Sequence, residues 1–330
     1  TCTYTVIGGA LISAVYEPWE IVGRIAIAGG VSMMAYAAWN WHPFTKIFRN
    51  LNLGMDGAYP FIKGKTKTDL SNVYRVTLPT VLCLKDFEDK QESISQHLGK
   101  EIEIKYTYKE IQIEVYESKM RSFFTYEPQK IKGNVPLLIG YDRRENFVSC
   151  DLSDGEPHLL IAGETGSGKS TVLRAIITNF ILNSDVKLHL VDLKNGAEFN
   201  IFRKSSKVAN FCRNMNESSR LLQELSMETD RRYDIFYEKD VKDIVEYNKK
   251  YKNSKMGYEV LIIDEFADLQ SSKECMSLLD ELGRKARACG IHLILSTQRP
   301  DSKVLNGSIK ANITSILGLK TLNGTNSQII

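Results

Sequence analysis

The chain has 330 residues, of which 43% are hydrophobic and 25% charged, so disorder is excluded as the default and there is length enough for two domains. The formal net charge of +3 is too small to indicate a polyanionic partner by itself. The six cysteines form no CxxC pair or Cys/His cluster, which argues against a zinc site or a secreted disulfide framework and favours reduced thiols in the cytoplasm.

Residues 1–45 predict a transmembrane helical hairpin. Residues 21–41 read IVGRIAIAGGVSMMAYAAWNW, a length that at about 1.5 Å per residue matches a hydrocarbon core of about 30 Å. Arg24 lies where it can snorkel, and Trp39 and Trp41 lie where an interfacial belt would put them. The upstream TYTVIGGALISAV predicts the end of another span, and we expect that first helix to be truncated. The alternative is an Ala/Gly-rich buried helix of a soluble protein.

Residues 46–72 are predicted to be a basic juxtamembrane linker. Residues 42–75 contain six basic and two acidic side chains. The positive-inside rule places this side of the membrane in the cytoplasm, so we expect a multi-pass protein of the cell membrane with its later domains in the cytoplasm. Whether the basic stretch contacts anionic lipid or is simply solvated is left open.

Residues 73–150 predict a small β-α-β-β module followed by a hairpin. EIEIKYTY and IQIEVY alternate with period two, whereas Phe87, Ile94 and Leu98 have helical spacing. VPLLIGYDRRENFVSCDL predicts a hairpin that turns at DRREN. The module shows no nucleophile, metal cluster or aromatic platform, which favours a structural adaptor or a subunit contact.

A phosphate-binding loop is predicted between the apolar HLLIA and the helical TVLRAIITNFIL. The sequence GETGSGKS fits G-x-x-x-x-G-K-[ST] in the required order of strand, loop and helix. The alternative, a glycine turn that binds no nucleotide, is weak in that context. The predicted ATP-binding residues are Gly163, Glu164, Thr165, Gly166, Ser167, Gly168, Lys169, Ser170 and Thr171.

The chemistry of this loop follows from its residue types. Glycines let backbone N–H groups point at the phosphates, and the helix dipole favours the anion. We expect Lys169 to reach the β- and γ-phosphates of ATP and Ser170 to hold Mg²⁺.

Two carboxylates end the apolar run VLII in VLIIDEFADL. A buried parallel strand would deliver Asp264 and Glu265 to its carboxyl edge. We expect Asp264 to orient the magnesium shell and Glu265 to polarise the attacking water. The alternative is a strand that ends in a solvated acidic turn.

Two further strands are predicted. IHLILSTQ ends in Ser296, Thr297 and Gln298, and an amide there can hydrogen-bond the γ-phosphate or the lytic water. An ordinary polar cluster at a strand end is an equal alternative for Gln298. VKLHLVDLK ends in Asp192 and Lys194 and supplies another parallel strand.

A helix with serine cap candidates is predicted over SSKECMSLLDELGRKARACG, ending at Gly290. Arg284, Lys285 and Arg287 make its last turns basic. The favoured interpretation is that they offset the helix dipole; the alternative is that they face a neighbouring subunit's nucleotide or DNA.

The motifs together resemble the FtsK/SpoIIIE family of motor ATPases. HLLIAGETGSGKS, HLVDLK, DRRYDIF, VLIIDEFADL, KARACGIHLILSTQRP and SIKANI follow in the family's order from Pro157 onward. The resemblance implies an α/β fold, with a RecA-like P-loop NTPase (ASCE) parallel sheet flanked by helices over residues 151–330, truncated at its C-terminal end. It also implies a hexameric ring that pumps double-stranded DNA without sequence specificity.

The front half resembles the coupling proteins of Gram-positive conjugative plasmids and integrative elements (TcpA- and ConQ-like). That similarity rests on the order of hairpin, basic stretch and small module. It implies a role in conjugative transfer, with a relaxase and conjugation channel proteins as partners.

The chain departs from the family after KANI. Where several relatives carry arginines, Ser315 and Gln328 stand here. Arg231 and Arg232 in ETDRRYDIF are speculative substitutes for the arginine finger. The alternative is that both lie on a solvated helix face.

The sequence therefore predicts a membrane-anchored, ATP-driven DNA translocase that uses Mg²⁺. One alternative is a protein-secretion motor of the EssC type, whose cargo is polypeptide. A nucleotide-gated membrane scaffold without turnover is disfavoured by the intact Lys169, Asp264, Glu265 and Gln298.

Overall fold

The computed structural model describes residues 43–54, 58–108, 110–121, 123–298, 311–313 and 315–320. The chain divides into two compact units, residues 1–123 and 124–330. Residues 1–42 of the predicted membrane hairpin lie outside the described residues. Among the helices that are described, none combines the length and apolar character needed to cross a bilayer.

The first unit is an antiparallel sheet covered by short helices. Its helices are α1 (Pro43–Asn50), α2 (Leu84–Glu88) and α3 (Gln91–Leu98). Its strands are β1 (Ile62–Lys67), β2 (Ser71–Thr77), β3 (Ile102–Thr107) and β4 (Glu110–Tyr116), in the order β1-β2-β4-β3.

The core of this unit is aromatic and aliphatic. Phe48 is fully buried in α1, and its ring centroid lies 5.9 Å from that of Phe87. Ile111 and Ile113 point into the same core from β4. Gly99 ends α3 in the left-handed conformation, with φ of 63°, which a residue with Cβ adopts less readily.

The stretch predicted as a linker is part of this unit. Pro43, Phe44 and Thr45, the end of the predicted hairpin, open α1, and β1 lies within the predicted linker 46–72. The sequence pattern did not predict β1, because it is an edge strand whose side chains are mostly exposed. In its sequence IKGKTK, Ile62 is the one large apolar residue, so apolar and polar residues do not alternate along it.

The second unit is built on a parallel sheet, which has six strands among the described residues. Its strands are β7 (Leu159–Ala162), β8 (Lys187–Val191), β9 (Val208–Cys212), β10 (Glu259–Ile263), β11 (Ile291–Thr297) and β12 (Ser315–Gly318). They lie in the order β12-β7-β11-β10-β8-β9. All pairings are parallel.

Helices cover both faces of this sheet. They are α4 (Lys169–Asn183), α5 (Met215–Lys239), α6 (Ile244–Lys250) and α7 (Lys273–Lys285), with 3₁₀ turns at Asn200–Phe202 and Phe266–Ser271. Alternate strand residues pack on α4 on one face and on α5 and α7 on the other. α7 ends at Lys285 rather than at Gly290, which stands in a following turn with φ of 73°.

The hairpin of β5 (Pro136–Tyr141) and β6 (Phe147–Asp151) belongs to the second unit. Val135, Leu137 and Leu152 are buried in the same cluster as the α4 face of the sheet. The boundary therefore lies at residues 123 and 124, not at 150 and 151 as predicted, because the hairpin has its hydrophobic contacts on the parallel sheet.

Candidate nucleotide site

The predicted site residues meet at the carboxyl edge of the parallel sheet. In the register of the strands, Ile263 pairs with Val191 and Leu295, and Thr297 pairs with Ala162. The segments that follow these strands therefore begin side by side.

The phosphate-binding loop connects β7 to α4. Gly166 and Gly168 have φ of 81° and 97°, which leaves the loop to turn through the left-handed region. A Cβ on Gly163 would lie 2.6 Å from Ser167 Oγ and 2.7 Å from Leu319 Cβ. No side chain caps the N-terminus of α4, so the loop and first-turn amides face the region where a phosphate would bind.

Strand β12 supports this loop from the far edge of the sheet. Leu319 N donates to Ala162 O at 2.8 Å, and Glu164 N donates to Lys320 O at 3.2 Å. The loop is thus hydrogen-bonded to residues about 150 positions later in the chain.

Two lysines contact the carboxylate of Asp264, which is 1% exposed. Lys169 Nζ donates to Asp264 O at 2.7 Å and to Oδ1 at 3.1 Å. Lys194 Nζ lies 3.1 Å from Oδ2. Burial opposes the charge of Lys194, but the hydrogen bond and the nearby carboxylates raise its pKa. Lys194 follows the end of β8, a position that could have singled it out in the sequence.

The carboxylate of Glu265 is held from β11. Thr297 Oγ1 donates to Oε1 at 2.7 Å, and the backbone N–H of Gln298 donates to Oε2 at 2.9 Å. The Gln298 side chain instead reaches the phosphate-binding loop, where its Oε1 accepts from Thr165 Oγ1 at 2.8 Å. A chain of hydrogen bonds thus joins the loop to Glu265 through β11. Sequence reasoning assigned no role to Thr297.

Asp192 shapes the segment after β8. It is fully buried, and its Oδ2 accepts from the backbone amides of Glu198 at 2.7 Å and Phe199 at 3.1 Å. The contacts fix the turn that carries Lys194 toward Asp264.

Two side chains of the site bear oxygens that suit a magnesium ion, those of Ser170 and Asp264. Ser170 follows Lys169 in the first turn of α4, and Asp264 lies beside Lys169. Over the described ranges, no group of three or more His, Cys, Asp or Glu side chains is placed to bind a metal. The donor set fits Mg²⁺, which proteins commonly hold through one or two oxygens together with substrate phosphates.

Arg232 is not available as an arginine finger. It is 4% exposed, and its guanidinium donates to Glu259 Oε1 at 2.6 Å and to Cys289 O at 2.7 Å. It also donates to Glu228 Oε1 at 2.7 Å. The prediction for Arg232 is wrong, because a second basic residue on a long helix can face the core when a buried carboxylate lies opposite. Arg231 is exposed, pairs with Glu228, and stays a prediction.

The basic residues at and just beyond the end of α7 differ in their partners. Arg284 pairs with Asp280 at 3.4 Å and Lys285 with Glu281 at 2.7 Å, both across one helical turn. Arg287 lies beyond the helix end and makes no ion pair with any described residue.

Curated relatives are DNA translocases. The chain is 36% identical over 218 residues to the DNA translocase FtsK of Staphylococcus epidermidis, covering 62% of this chain and 27% of that protein. It is 37% identical over 221 residues to the DNA translocase FtsK of Lactiplantibacillus plantarum, covering 62% and 28%. The chain therefore spans little more than a quarter of the length of these relatives.

Two kinds of solved structure are similar to this chain, a conjugation coupling protein and a secretion ATPase. The conjugation coupling protein TcpA of pCW3, in its monomer form with ATPγS, has a TM-score of 0.61 and 25% identity, covering 87% of this chain and 85% of that one. The cytoplasmic domain of the type VII secretion ATPase EccC of Thermomonospora curvata has a TM-score of 0.53 and 25% identity, covering 60% and 25%. The similarities agree with a P-loop ATPase fold. The model of the FtsK/SpoIIIE family matches residues 121–302, more than half of the chain, and the chain belongs to that family.

Proposed function

We propose that the chain is the ATP-hydrolysing part of a membrane-anchored DNA translocase that serves conjugative transfer as a coupling protein. One observation supports ATP hydrolysis most strongly: Lys169, Asp264, Glu265 and Gln298 lie together at one edge of a RecA-like sheet. These are the groups that phosphoryl transfer to water needs: cations, a metal-orienting carboxylate and a general base.

Each residue has a distinct part in the proposed reaction. The loop amides and Lys169 hold the β- and γ-phosphates of ATP, releasing the lysine from Asp264. Ser170 and Asp264 would hold Mg²⁺, which neutralises phosphate charge. Glu265, which Thr297 holds by a hydrogen bond, takes the proton of the attacking water. Gln298 links the conformation of the phosphate-binding loop to the end of β11 through its hydrogen bond with Thr165.

DNA as the cargo is supported by the FtsK-named relatives and the family membership. Conjugation is supported by TcpA, because that similarity covers most of both chains and not the ATPase unit alone. We further propose a hexameric ring acting on duplex DNA without sequence preference, with relaxase and channel partners. We also propose that the ATPase unit is cytoplasmic and that a membrane hairpin precedes α1.

A protein-secretion motor is the second candidate. The similarity to EccC favours it, at the same 25% identity as TcpA. It covers less of this chain, and it covers only a quarter of EccC.

The test is the ATPase rate of the whole chain with and without duplex DNA at two salt concentrations. We expect stimulation by DNA that weakens at the higher salt. Lys169→Ala should abolish hydrolysis, and Glu265→Gln should bind ATP without turnover. Stimulation by a secreted protein, with none by DNA, would favour the secretion motor; unchanged hydrolysis in Lys169→Ala would refute the site.

A further inference from the structure

Two adjoining cavities lie at the amino edge of the parallel sheet, the edge opposite the phosphate-binding loop. Their volumes are about 300 Å³ and about 610 Å³. Val245 of α6 and Tyr258, which precedes β10, line both of them. Together they form one concave surface, which we call the amino-edge groove.

Four cations line this groove. Lys242 and Arg287 line the smaller cavity, and Lys249 and Lys255 line the larger one. Within the part of the chain that the structure describes, none of the four side chains has an ion pair or hydrogen-bond partner. By contrast, Lys207 near the larger cavity is neutralised by a carboxylate at 2.8 Å.

Of the residues that line the groove, two are acids, and both have partners: Asp185, in the larger cavity, is the carboxylate paired with Lys207, and Asp243, in the smaller cavity, caps α6. Asp243 Oδ1 accepts from Glu246 N at 2.8 Å, and Glu246 Oε2 accepts from the backbone N–H of Lys242 at 3.0 Å. The following stretch, residues 249–255, reads KKYKNSK and contains no acid. His292 lines the smaller cavity but adds no charge near neutral pH, because burial lowers its pKa to about 4.

We propose that the amino-edge groove binds the sugar-phosphate backbone of nucleic acid. Several unpaired cations along a concavity match a polymer of phosphates, and lysine and arginine contacts of this kind bind without sequence preference. A bilayer surface is a poor fit, because a plane of headgroups cannot enter a concave groove. The inference rests on DNA as the cargo, and it adds a contact surface remote from the nucleotide edge.

The test compares two double variants of the whole chain. Lys249→Gln/Lys255→Gln removes two groove charges. Arg220→Gln/Lys273→Gln removes two exposed charges from the starts of α5 and α7, near the carboxyl edge. Affinity for two unrelated 30-bp duplexes is measured by fluorescence anisotropy over a range of salt, without nucleotide.

The groove variant should bind both duplexes more weakly, with the slope of log K against log salt smaller by about 2. Its ATPase rate without DNA should equal that of the unsubstituted chain. The control variant should keep the original slope.

Four results would overturn the inference. If the groove variant keeps the original slope while the unsubstituted chain binds DNA, the groove is refuted and the translocase proposal is left intact. An equal loss in the control variant would show a total-charge effect instead of a located surface. If the groove variant binds phosphatidylserine vesicles more weakly but binds DNA as the unsubstituted chain does, the groove is a lipid-binding surface. No DNA binding by the unsubstituted chain would refute the cargo as well as the groove.

Discussion

Removing the hydroxyl of Thr297 should slow ATP hydrolysis without weakening nucleotide binding. Thr297 is fully buried and donates at 2.7 Å to the carboxylate of Glu265, which is 9% exposed. A hydrogen bond to a charged group is worth about 1.5–3 kcal/mol. If Thr297→Val loses that orientation in the transition state, kcat should fall about 10- to 150-fold at about 1.4 kcal/mol per tenfold.

The assay is the steady-state kcat and KM for ATP, with the affinity for ATPγS and the thermal midpoint measured on the same samples. Thr297→Ser keeps the hydroxyl and should hydrolyse ATP close to the original rate. A rate in Thr297→Val equal to that of the unsubstituted chain would refute the positioning role. A Thr297→Ser variant as slow as Thr297→Val would show that the hydroxyl alone does not position Glu265 and that the methyl group is needed as well.

Three more predictions concern the loop, the buried guanidinium and the buried histidines. Gly163→Ala should lose ATPγS binding in a filter assay, because its Cβ would collide with the loop and with the residue after β12; retained affinity would contradict the close approach. Arg232→Met should lower the free energy of unfolding by about 3–5 kcal/mol and Arg231→Met by about 0–1 kcal/mol in urea titrations; equal effects would contradict the burial of Arg232. Burial lowers the pKa of His158 to about 3 and of His292 to about 4. As pH falls, the histidines of the unfolded chain are therefore protonated before those of the folded chain. The free energy of unfolding should decrease from about pH 6.5 toward pH 4 by about 1.4 kcal/mol per pH unit for each histidine. A free energy of unfolding that does not change in that window would contradict the burial of these histidines as neutral rings.

The local sequence was enough to predict the order of strand, loop and helix around the nucleotide site. An apolar run of four residues before Asp264 is enough to predict a buried strand, and the carboxyl ends of parallel strands share an edge. The local sequence does not predict which side chains hydrogen-bond to one another across that edge. Thr297 meets Glu265 only because β11 lies beside β10 in one register, and that register is a property of the whole sheet.

The burial of Arg232 and the formation of β1 were not predicted for the same reason, since both depend on residues distant in the sequence. Arg231 and Arg232 are adjacent in sequence, and which of them faces the core depends on Glu259, 27 residues after Arg232. β1 has the lysine-rich sequence of a solvated segment and becomes a strand because β2 pairs with it. Arginine at the position of Ser315 would have indicated a finger, whereas here Ser315 opens β12.

Strand β12 has a consequence for how the chain matures during synthesis. Until residues 315–320 have been made, β7 has no neighbour on one side, and its unpaired backbone groups form an open edge that can recruit a strand from another chain. The phosphate-binding loop also lacks its partners in Leu319 and Lys320 during that interval. Nascent chains therefore pass through a stage that is prone to aggregation and has an unfinished nucleotide site, and the pairing of β12, the most C-terminal of the described strands, both closes the edge and completes the loop.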